Sequence, residues 1–205
     1  MANQARSLTT REVLLDHAEF LFARRGVQGV TTREITEAAQ QRNASAISYH
    51  FGSRDGLLLE VLARRGGPVD VDRGRRREKV LVATPVKLVE ALAVPYVALL
   101  DSPAGRSYVR VVAQLSWRFA DWQAGSDATT SRNLTRILSE LQAMAQGTRA
   151  VRSERIVAMI MLMTSLTAER ARRIDEHASL ALNAQQFERH LVEVCVAVLG
   201  TPGRH

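Results

Sequence analysis

Apolar residues recur at helical spacing along nearly the whole chain, and the first stripe shows the pattern clearly. It consists of Leu14, Leu15, Ala18, Leu21 and Phe22. Residues at this spacing share one face of a helix. Thr9 and Glu12 have the spacing of a capping box, which predicts that the helix begins there, and Gly26 is expected to end it. No run of alternating apolar and polar residues lies between turn signals, so the pattern predicts an all-α protein.

Two short helices are predicted next. Thr31 and Glu34 form a second capping box that opens a helix through Ala39, and a polar turn then leads to a third helix with Ile47 and Phe51 one turn apart on its inner side. A long helix followed by two short helices is the helix-turn-helix arrangement, whose last helix lies in the major groove of DNA. The first fifty or so residues therefore predict a three-helix DNA-binding domain.

The third helix is expected to present small and hydroxylated residues outward. If Ile47 and Phe51 face the core, a rotation of 100° per residue directs Ser45, Ala46 and Tyr49 outward, with Ser48 on the flank. Such a face can approach base edges closely. The predicted DNA-contacting residues are Thr31, Thr32, Arg33, Arg42, Asn43, Ser45, Ala46, Ser48, Tyr49, His50 and Arg54.

Three of these residues are predicted to donate to phosphates, namely Tyr49, His50 and Arg54, together with the backbone N–H groups of the helix that starts after Ser53. Other interpretations stay open. His50 could cap local backbone or pack half-buried, Tyr49 could pack on the first helix, and Arg42 could be a solvated surface residue.

Three segments resemble the N-terminal signature of the tetracycline-repressor-like (TetR/AcrR) transcriptional regulators: "LLDHAEFLFARRG", "TTREITEAA" and "ISYHFGSRDGLL", within roughly residues 9 to 60. The matching residues are Thr31, Arg33, Ile35, Ala39, Tyr49, His50, Phe51, Ser53 and Leu57. The resemblance implies a helix-turn-helix domain followed by a helical ligand-binding and dimerisation domain. One departure is Gln40, where the family usually has glycine, in a turn "QQRN" that looks one residue longer. An inserted residue is expected to relax that turn.

The formal net charge of +7 rests almost entirely on arginine, since Lys79 and Lys87 are the only lysines. A basic chain favours a polyanionic partner, although a GC-rich genome would also produce arginine. The five histidines lack metal-ligand spacing, and Cys195 in "VEVCVAVL" is expected to be a buried small hydrophobe. We predict no metal, no cofactor and no catalytic residues. No apolar stretch reaches the length of a membrane span and the N-terminus lacks a signal-peptide pattern, so a cytoplasmic protein is expected.

Glycine, proline and dense charge in "ARRGGPVDVDRGRRREK" predict a domain junction. The predicted domains are residues 1–65, with a linking helix at 54–66, and residues 66–205, in which helical spacing resumes near Val80.

The predicted second domain is a set of further helices. Thr84-Pro85 and Ser102-Pro103 mark two starts, and later segments run roughly 129–146, 150–176 and 183–199. The residues predicted to line a small-molecule pocket are Tyr96, Tyr108, Trp117, Phe119, Trp122, Met159 and Met163, with core packing as the alternative. The residues predicted to form a dimer interface are Ile156, Ile160, Met163, Leu191, Val194 and Val198.

These features favour a sequence-specific DNA-binding regulator. We expect a repressor that acts as a homodimer on an inverted-repeat operator and responds to a small-molecule effector. The alternative is a helical small-molecule-binding protein or enzyme that uses its basic head for something else, although no nucleophile, base and orienting group occur at a readable spacing. A sequence-independent DNA coater would instead carry lysine-rich tails.

Overall fold

The structure, a computed structural model, describes residues 2–43, 45–118 and 131–200 and confirms the all-α prediction, with no strand among them. The helices are α1 (Ala2–Arg25), α2 (Thr32–Ala38), α3 (Ala46–Phe51), α4 (Arg54–Glu78), α5 (Pro85–Val97), α6 (Pro103–Leu115), α7 (Arg132–Met144), α8 (Arg149–Asp175) and α9 (Ala184–Gly200). Short 3-10 turns follow α5 and α6. No helix within these ranges is long and apolar enough to cross a membrane.

The start of α1 differs from the prediction. The helix begins at Ala2, so Thr9 lies in its interior, because the preceding "ANQARS" contains good helix formers and no residue that would stop a helix. Its end agrees with the prediction, since α1 stops at Arg25 and Gly26 follows with a φ of 89°. Positive φ of this kind is readily adopted only by glycine.

The first four helices enclose a small core, which we call the head core. It contains Leu14, Leu15, Ala18, Phe22, Val27, Val30, Ile35, Ile47, Leu57, Leu58 and Val61, together with Val111 and Leu115 of α6. The last two residues belong to the predicted second domain, yet they are buried among the side chains of the first. The first four helices, which we call the head, therefore need α6 to complete their core.

The predicted linking helix 54–66 is longer in the structure. α4 continues through Gly66 and Pro68 to Glu78, across the predicted domain junction. A Cβ atom at Gly66 would lie 2.9 Å from the Tyr108 hydroxyl, and one at Gly74 would lie 2.8 Å from the Asn133 amide. These glycines permit close packing of other helices on α4 rather than a turn.

Helices α5 to α9 pack around a second apolar core. We call this part of the chain the body and its apolar core the body core. Thr84 caps α5 and Ser102 caps α6, each hydroxyl accepting from the backbone N–H three residues on, as the Thr-Pro and Ser-Pro pairs predict. Cys195 is fully buried in this core, as expected, and burial raises the pKa of its thiol to about 12.

A carboxylate on α4 caps α7 across the body. Asp70 is 2% exposed, and its oxygens accept from the backbone N–H groups of Asn133 (2.9 Å) and Leu134 (2.7 Å) and from the Asn133 side-chain amide (3.1 Å). These backbone groups belong to the first turn of a helix, where they have no partner within the helix itself. Asp70 therefore fixes the start of α7 on α4.

Candidate nucleic-acid interface

The turn between α2 and α3 keeps a strained backbone. The N–H of Gln40 donates to Glu37 O (3.0 Å) and that of Gln41 to Thr36 O (2.9 Å), which is the hydrogen-bond pattern of a Schellman motif. Gln40 has a φ of 52° at the position where glycine is usual. The expectation that the longer turn relaxes the geometry is therefore wrong, because the left-handed residue is still required.

Replacing Gln40 by glycine should raise the free energy of unfolding by about 0.5–1 kcal/mol, since glycine adopts this φ without steric cost. Thermal unfolding of Gln40→Gly measures the gain. The matched control is Gln41→Gly, at a position without positive φ, which should be neutral or destabilising. Equal effects of the two substitutions would contradict the explanation.

The N-terminus of α2 is built as the sequence predicts. The Thr31 hydroxyl accepts from Glu34 N (3.2 Å), and the Thr31 N–H donates to the Glu34 carboxylate (2.8 Å). The backbone and side-chain hydrogen bonds to Thr31, followed by that from Arg25, hold the pKa of Glu34 at about 2. A lowered acid pKa stabilises the fold above the ordinary value near 4.5, and this contribution is lost as the pH falls towards 2. The Thr31 hydroxyl is thus already used by the cap.

The outward face of α3 is small and polar, with one large aromatic side chain. Ser45 and Ser48 are exposed, and Tyr49 is 78% exposed. Ala46 was predicted on this face but is 5% exposed and packs in the head core beside Ile47. The buried side of α3 is wider than the assumed stripe, because positions 46, 47, 50 and 51 all turn inward to some degree.

His50 is half-buried between aromatic neighbours. Its ring centroid is 4.9 Å from that of Tyr49, edge to face, and 6.1 Å from that of Phe51. Phe51 in turn lies beneath the guanidinium of Arg11, 5.3 Å from the ring centroid. The half-buried interpretation of His50 therefore holds, and its ring helps to orient Tyr49 towards solvent.

Charged and polar residues surround this face to different degrees. Thr32 is half-buried, and Arg33 is exposed but paired with Glu37 at 2.7 Å. Arg42 is exposed and forms no ion pair with any residue in the described ranges. Asn43 is also exposed, and its side-chain oxygen accepts from Ser45 N (2.9 Å), which holds the entry to α3. Arg42 is therefore the cation at this edge that an anion can approach without breaking a pair.

Arg54 has a different role from the predicted one. Its Nε donates to Val30 O (3.2 Å), its Nη2 donates to Val27 O, and its guanidinium lies 5.4 Å from the centroid of the Phe22 ring. These contacts join the start of α4 to the loop between α1 and α2. The interpretation as a phosphate donor is corrected accordingly, since the guanidinium is already engaged by the protein.

We expect Arg54→Ala to lower the free energy of unfolding by about 2 kcal/mol, because two buried carbonyl oxygens lose their charged donor. The slope of DNA affinity against salt should stay nearly unchanged. Arg42→Ala should do the opposite, leaving stability unchanged and lowering the salt slope by about one. Denaturant unfolding and salt titrations of DNA binding separate the two variants, and a loss of salt slope in Arg54→Ala would restore the phosphate role.

Gln114 of α6 also contacts the end of α1 and the loop between α1 and α2. The sequence does not predict this contact. Its side-chain oxygen accepts from Val27 N (2.7 Å) and its Nε2 donates to Phe22 O (3.0 Å). The body thereby holds the end of α1 by two hydrogen bonds. The residues lie 87 and 92 positions apart in sequence, so no local pattern could have indicated the contact.

The residues predicted to line a ligand pocket are dispersed. Tyr96, Tyr108, Met159 and Met163 are buried in the body core, whereas Trp117 is 68% exposed and its indole N–H donates to Gln114 O. Phe119 and Trp122 lie outside the described residues. A groove of about 550 Å³ is lined by Ser139, Gln142, Ala143, Gly147, Thr148, Arg149 and Arg152, none of which was predicted. The four core residues agree with the core-packing alternative.

The predicted dimer-interface residues mostly face inward. Ile156, Ile160, Met163 and Leu191 are buried in the core of the chain itself, and Val194 and Val198 are half-buried. For these four buried residues the prediction is wrong, because α8 carries apolar residues on more than one face, and periodicity does not tell which face the core takes. The exposed apolar residues of α8 are Ala150, Val151, Val157, Ala158 and Met161.

In the described residues, a helix-turn-helix head presents the exposed face of α3 and packs on a helical body. This geometry is typical of helix-turn-helix DNA-binding proteins. Residues 14–61 match the family model described as bacterial regulatory proteins, tetR family. Over these residues the resemblance seen in the sequence is confirmed. The match supports a DNA-binding transcriptional regulator.

Solved structures similar to the whole chain share its fold. A TetR-like transcriptional regulator from Rhodococcus sp. RHA1 is 13% identical, with a TM-score of 0.60. The superposition covers 92% of this chain and 94% of the Rhodococcus chain. The ketosteroid transcriptional regulator KstR2 of Mycobacterium tuberculosis is 15% identical with a TM-score of 0.56 (94% and 95% covered). A TetR-family regulator from Streptomyces coelicolor A3 is 18% identical with a TM-score of 0.53 (93% and 94% covered). Curated protein sequences give no match.

Proposed function

We propose that this chain is a repressor that binds an inverted-repeat operator as a homodimer and is controlled by a small-molecule effector. The observation that carries the proposal is the exposed Ser45–Ser48–Tyr49 face of α3. Arg42, which forms no ion pair with a described residue, lies at its edge. Small hydroxylated side chains allow close approach to base edges, while Arg42 and Tyr49 supply donors for phosphates. No catalytic step is part of this proposal.

Dimerisation is proposed through the outward face of α8, with α9 beside it. Val157 is 36% exposed and Met161 is 39% exposed, and Ala158 between them allows close approach of a second helix. Two copies related by a two-fold axis would place two heads at a fixed separation, as an inverted repeat requires. The double variant Val157→Glu with Met161→Glu should give folded monomers, whereas glutamate at the fully buried Leu191 would disrupt the core.

Effector control is proposed to act through the contacts between head and body. Gln114 on α6 holds Val27 and Phe22, and Val111 and Leu115 of the same helix lie in the head core. A ligand that shifts α6 would therefore move the end of α1 and, through it, the head. By linkage, the factor by which effector changes operator affinity equals the factor by which operator changes effector affinity.

The test uses DNA from upstream of the chain's own gene and its divergent neighbour, searched for inverted repeats. Competition between such a fragment and random DNA at fixed salt measures specificity. We expect the fragment to compete at least about 1,000-fold better than random DNA. Equal competition, or tight binding of a monomer to a single half-site, would contradict the proposal.

A further inference from the structure

Arg73 is a buried cation in the body that forms no ion pair with any described residue. It lies on α4 and is 7% exposed, and its Nε donates to Leu92 O at 3.0 Å. Within the described ranges its Nη1 and Nη2 atoms make no hydrogen bond and no ion pair, so four of its five N–H donors are unsatisfied. Burial lowers the pKa of this guanidinium, as expected for a charge removed from water.

The Tyr108 hydroxyl is a second buried polar group without a partner in the described part of the chain. It lies over Gly66, which stands on the same face of α4 as Arg73, two turns away. Arg73 and Tyr108 interact electrostatically. Burial raises the pKa of Tyr108 to about 12, so its hydroxyl stays protonated and can donate a hydrogen bond. The neighbouring Tyr96 differs, because its hydroxyl donates to Val109 O at 3.3 Å.

Two carboxylates interact electrostatically with this pair, Asp70 with Arg73 and Glu19 with Tyr108, and both are committed elsewhere. Asp70 accepts three hydrogen bonds from the start of α7. Glu19, which is 3% exposed, is paired with Arg65 at 2.5 Å. Neither carboxylate lies within ion-pair distance of Arg73. Arg73 and the Tyr108 hydroxyl thus lie in one region of the body, and within the described ranges four N–H groups of the guanidinium lack an acceptor and the hydroxyl lacks a partner.

Unsatisfied buried polar groups are costly, and proteins retain them chiefly where a function uses them. We propose that Arg73 and Tyr108 form the polar end of the effector site, and that the effector is an organic acid whose carboxylate pairs with the Arg73 guanidinium and accepts from the Tyr108 hydroxyl. This inference rests on the proposed effector control. A carboxylate matches one planar guanidinium, whereas a phosphate dianion would call for a second cation. Tyr108 itself belongs to the apolar body core, so an acid with an apolar skeleton is the proposed effector.

A competing explanation is purely structural. Pro95 removes one backbone donor from α5, and Arg73 donates to the nearby carbonyl of Leu92. If this bond alone explains Arg73, replacing the arginine should destabilise the chain. If the charge serves a ligand, Arg73→Met should leave the unliganded chain equally or more stable, because an uncompensated charge is removed at similar side-chain length.

The experiment measures thermal unfolding of the full chain without DNA, alone and with three matched pairs: benzoate and benzamide, phenylacetate and phenylacetamide, octanoate and octanamide. We expect at least one acid, and not its amide, to stabilise the unmodified chain. The response should be lost in Arg73→Met, should weaken at least about 30-fold in affinity in Arg73→Lys, and should persist in Arg76→Met, an exposed control on the same helix.

Three results would overturn the inference: destabilised or unfolded Arg73→Met, no acid that differs from its amide, or an acid response that survives in Arg73→Met. Arg73→Lys keeps the charge and so separates the loss of the guanidinium's paired N–H donors from the loss of charge. Operator binding is measured separately on the same proteins. An Arg73-dependent acid response without operator binding would contradict the proposed function alone. Operator binding without an acid response would contradict this inference alone.

Discussion

Ser48→Glu is expected to abolish specific DNA binding and leave the fold intact. Ser48 is exposed on α3, so a longer side chain meets no packed neighbour there. A carboxylate on this face would instead meet the phosphates and base acceptors of the DNA, and like-charge contacts of this kind cost several kcal/mol. We expect the affinity for the operator to fall about 100-fold or more.

The matched control is Ser139→Glu, at an exposed serine on α7. It adds the same charge to the whole chain and should lower affinity only slightly, through the net charge. Fluorescence anisotropy with the operator fragment measures both variants, and thermal unfolding checks their folds. Similar losses in the two variants would place DNA recognition somewhere other than α3.

Asp70→Ala is expected to lower the free energy of unfolding more than any other alanine substitution that we describe. It removes the acceptor for two backbone N–H groups and one side-chain amide at the start of α7, and it removes the carboxylate that interacts electrostatically with Arg73. The loss of unfolding free energy should be about 3 kcal/mol, or roughly 6–12 °C in Tm for a chain of this size.

Asp72→Ala on the same helix is its control. Asp72 pairs with Arg76 at 2.9 Å, and both side chains are more than 40% exposed. Exposed ion pairs contribute little, so this substitution should change stability by less than about 0.5 kcal/mol. If Asp70→Ala behaved like Asp72→Ala, the carboxylate would not be what fixes α7 to α4.

Local signals in the sequence predicted the parts of the fold that depend on neighbouring residues. The Thr31–Glu34 capping box and the proline starts at Pro85 and Pro103 are present as expected, because each involves contacts within three or four residues. The exposed Ser48 and Tyr49 followed from helical rotation. The start at Thr9 failed, because a capping pattern does not end a helix that has already formed upstream.

Contacts between distant segments could not be predicted. Arg54 was expected to face DNA, yet it donates to carbonyl oxygens 24 and 27 residues earlier in the chain. Gly66 lies in the segment predicted as a domain junction, because the sequence gives no indication that Tyr108 packs over it. The buried residues of α8 are predicted as an interface for a similar reason. Hydrophobicity indicates that a residue is buried, and only the tertiary structure shows which element buries it.

Selection of random double-stranded DNA by the purified full chain tests the central claim most directly, since it needs no assumption about the target gene. We expect the enriched sequences to share an inverted repeat whose half-sites are separated by about 10 base pairs or a multiple of it, and Ser48→Glu to abolish the enrichment. Enrichment of unrelated sequences, or of a motif that Ser48→Glu still selects, would contradict the account of α3 as the recognition helix of a dimer.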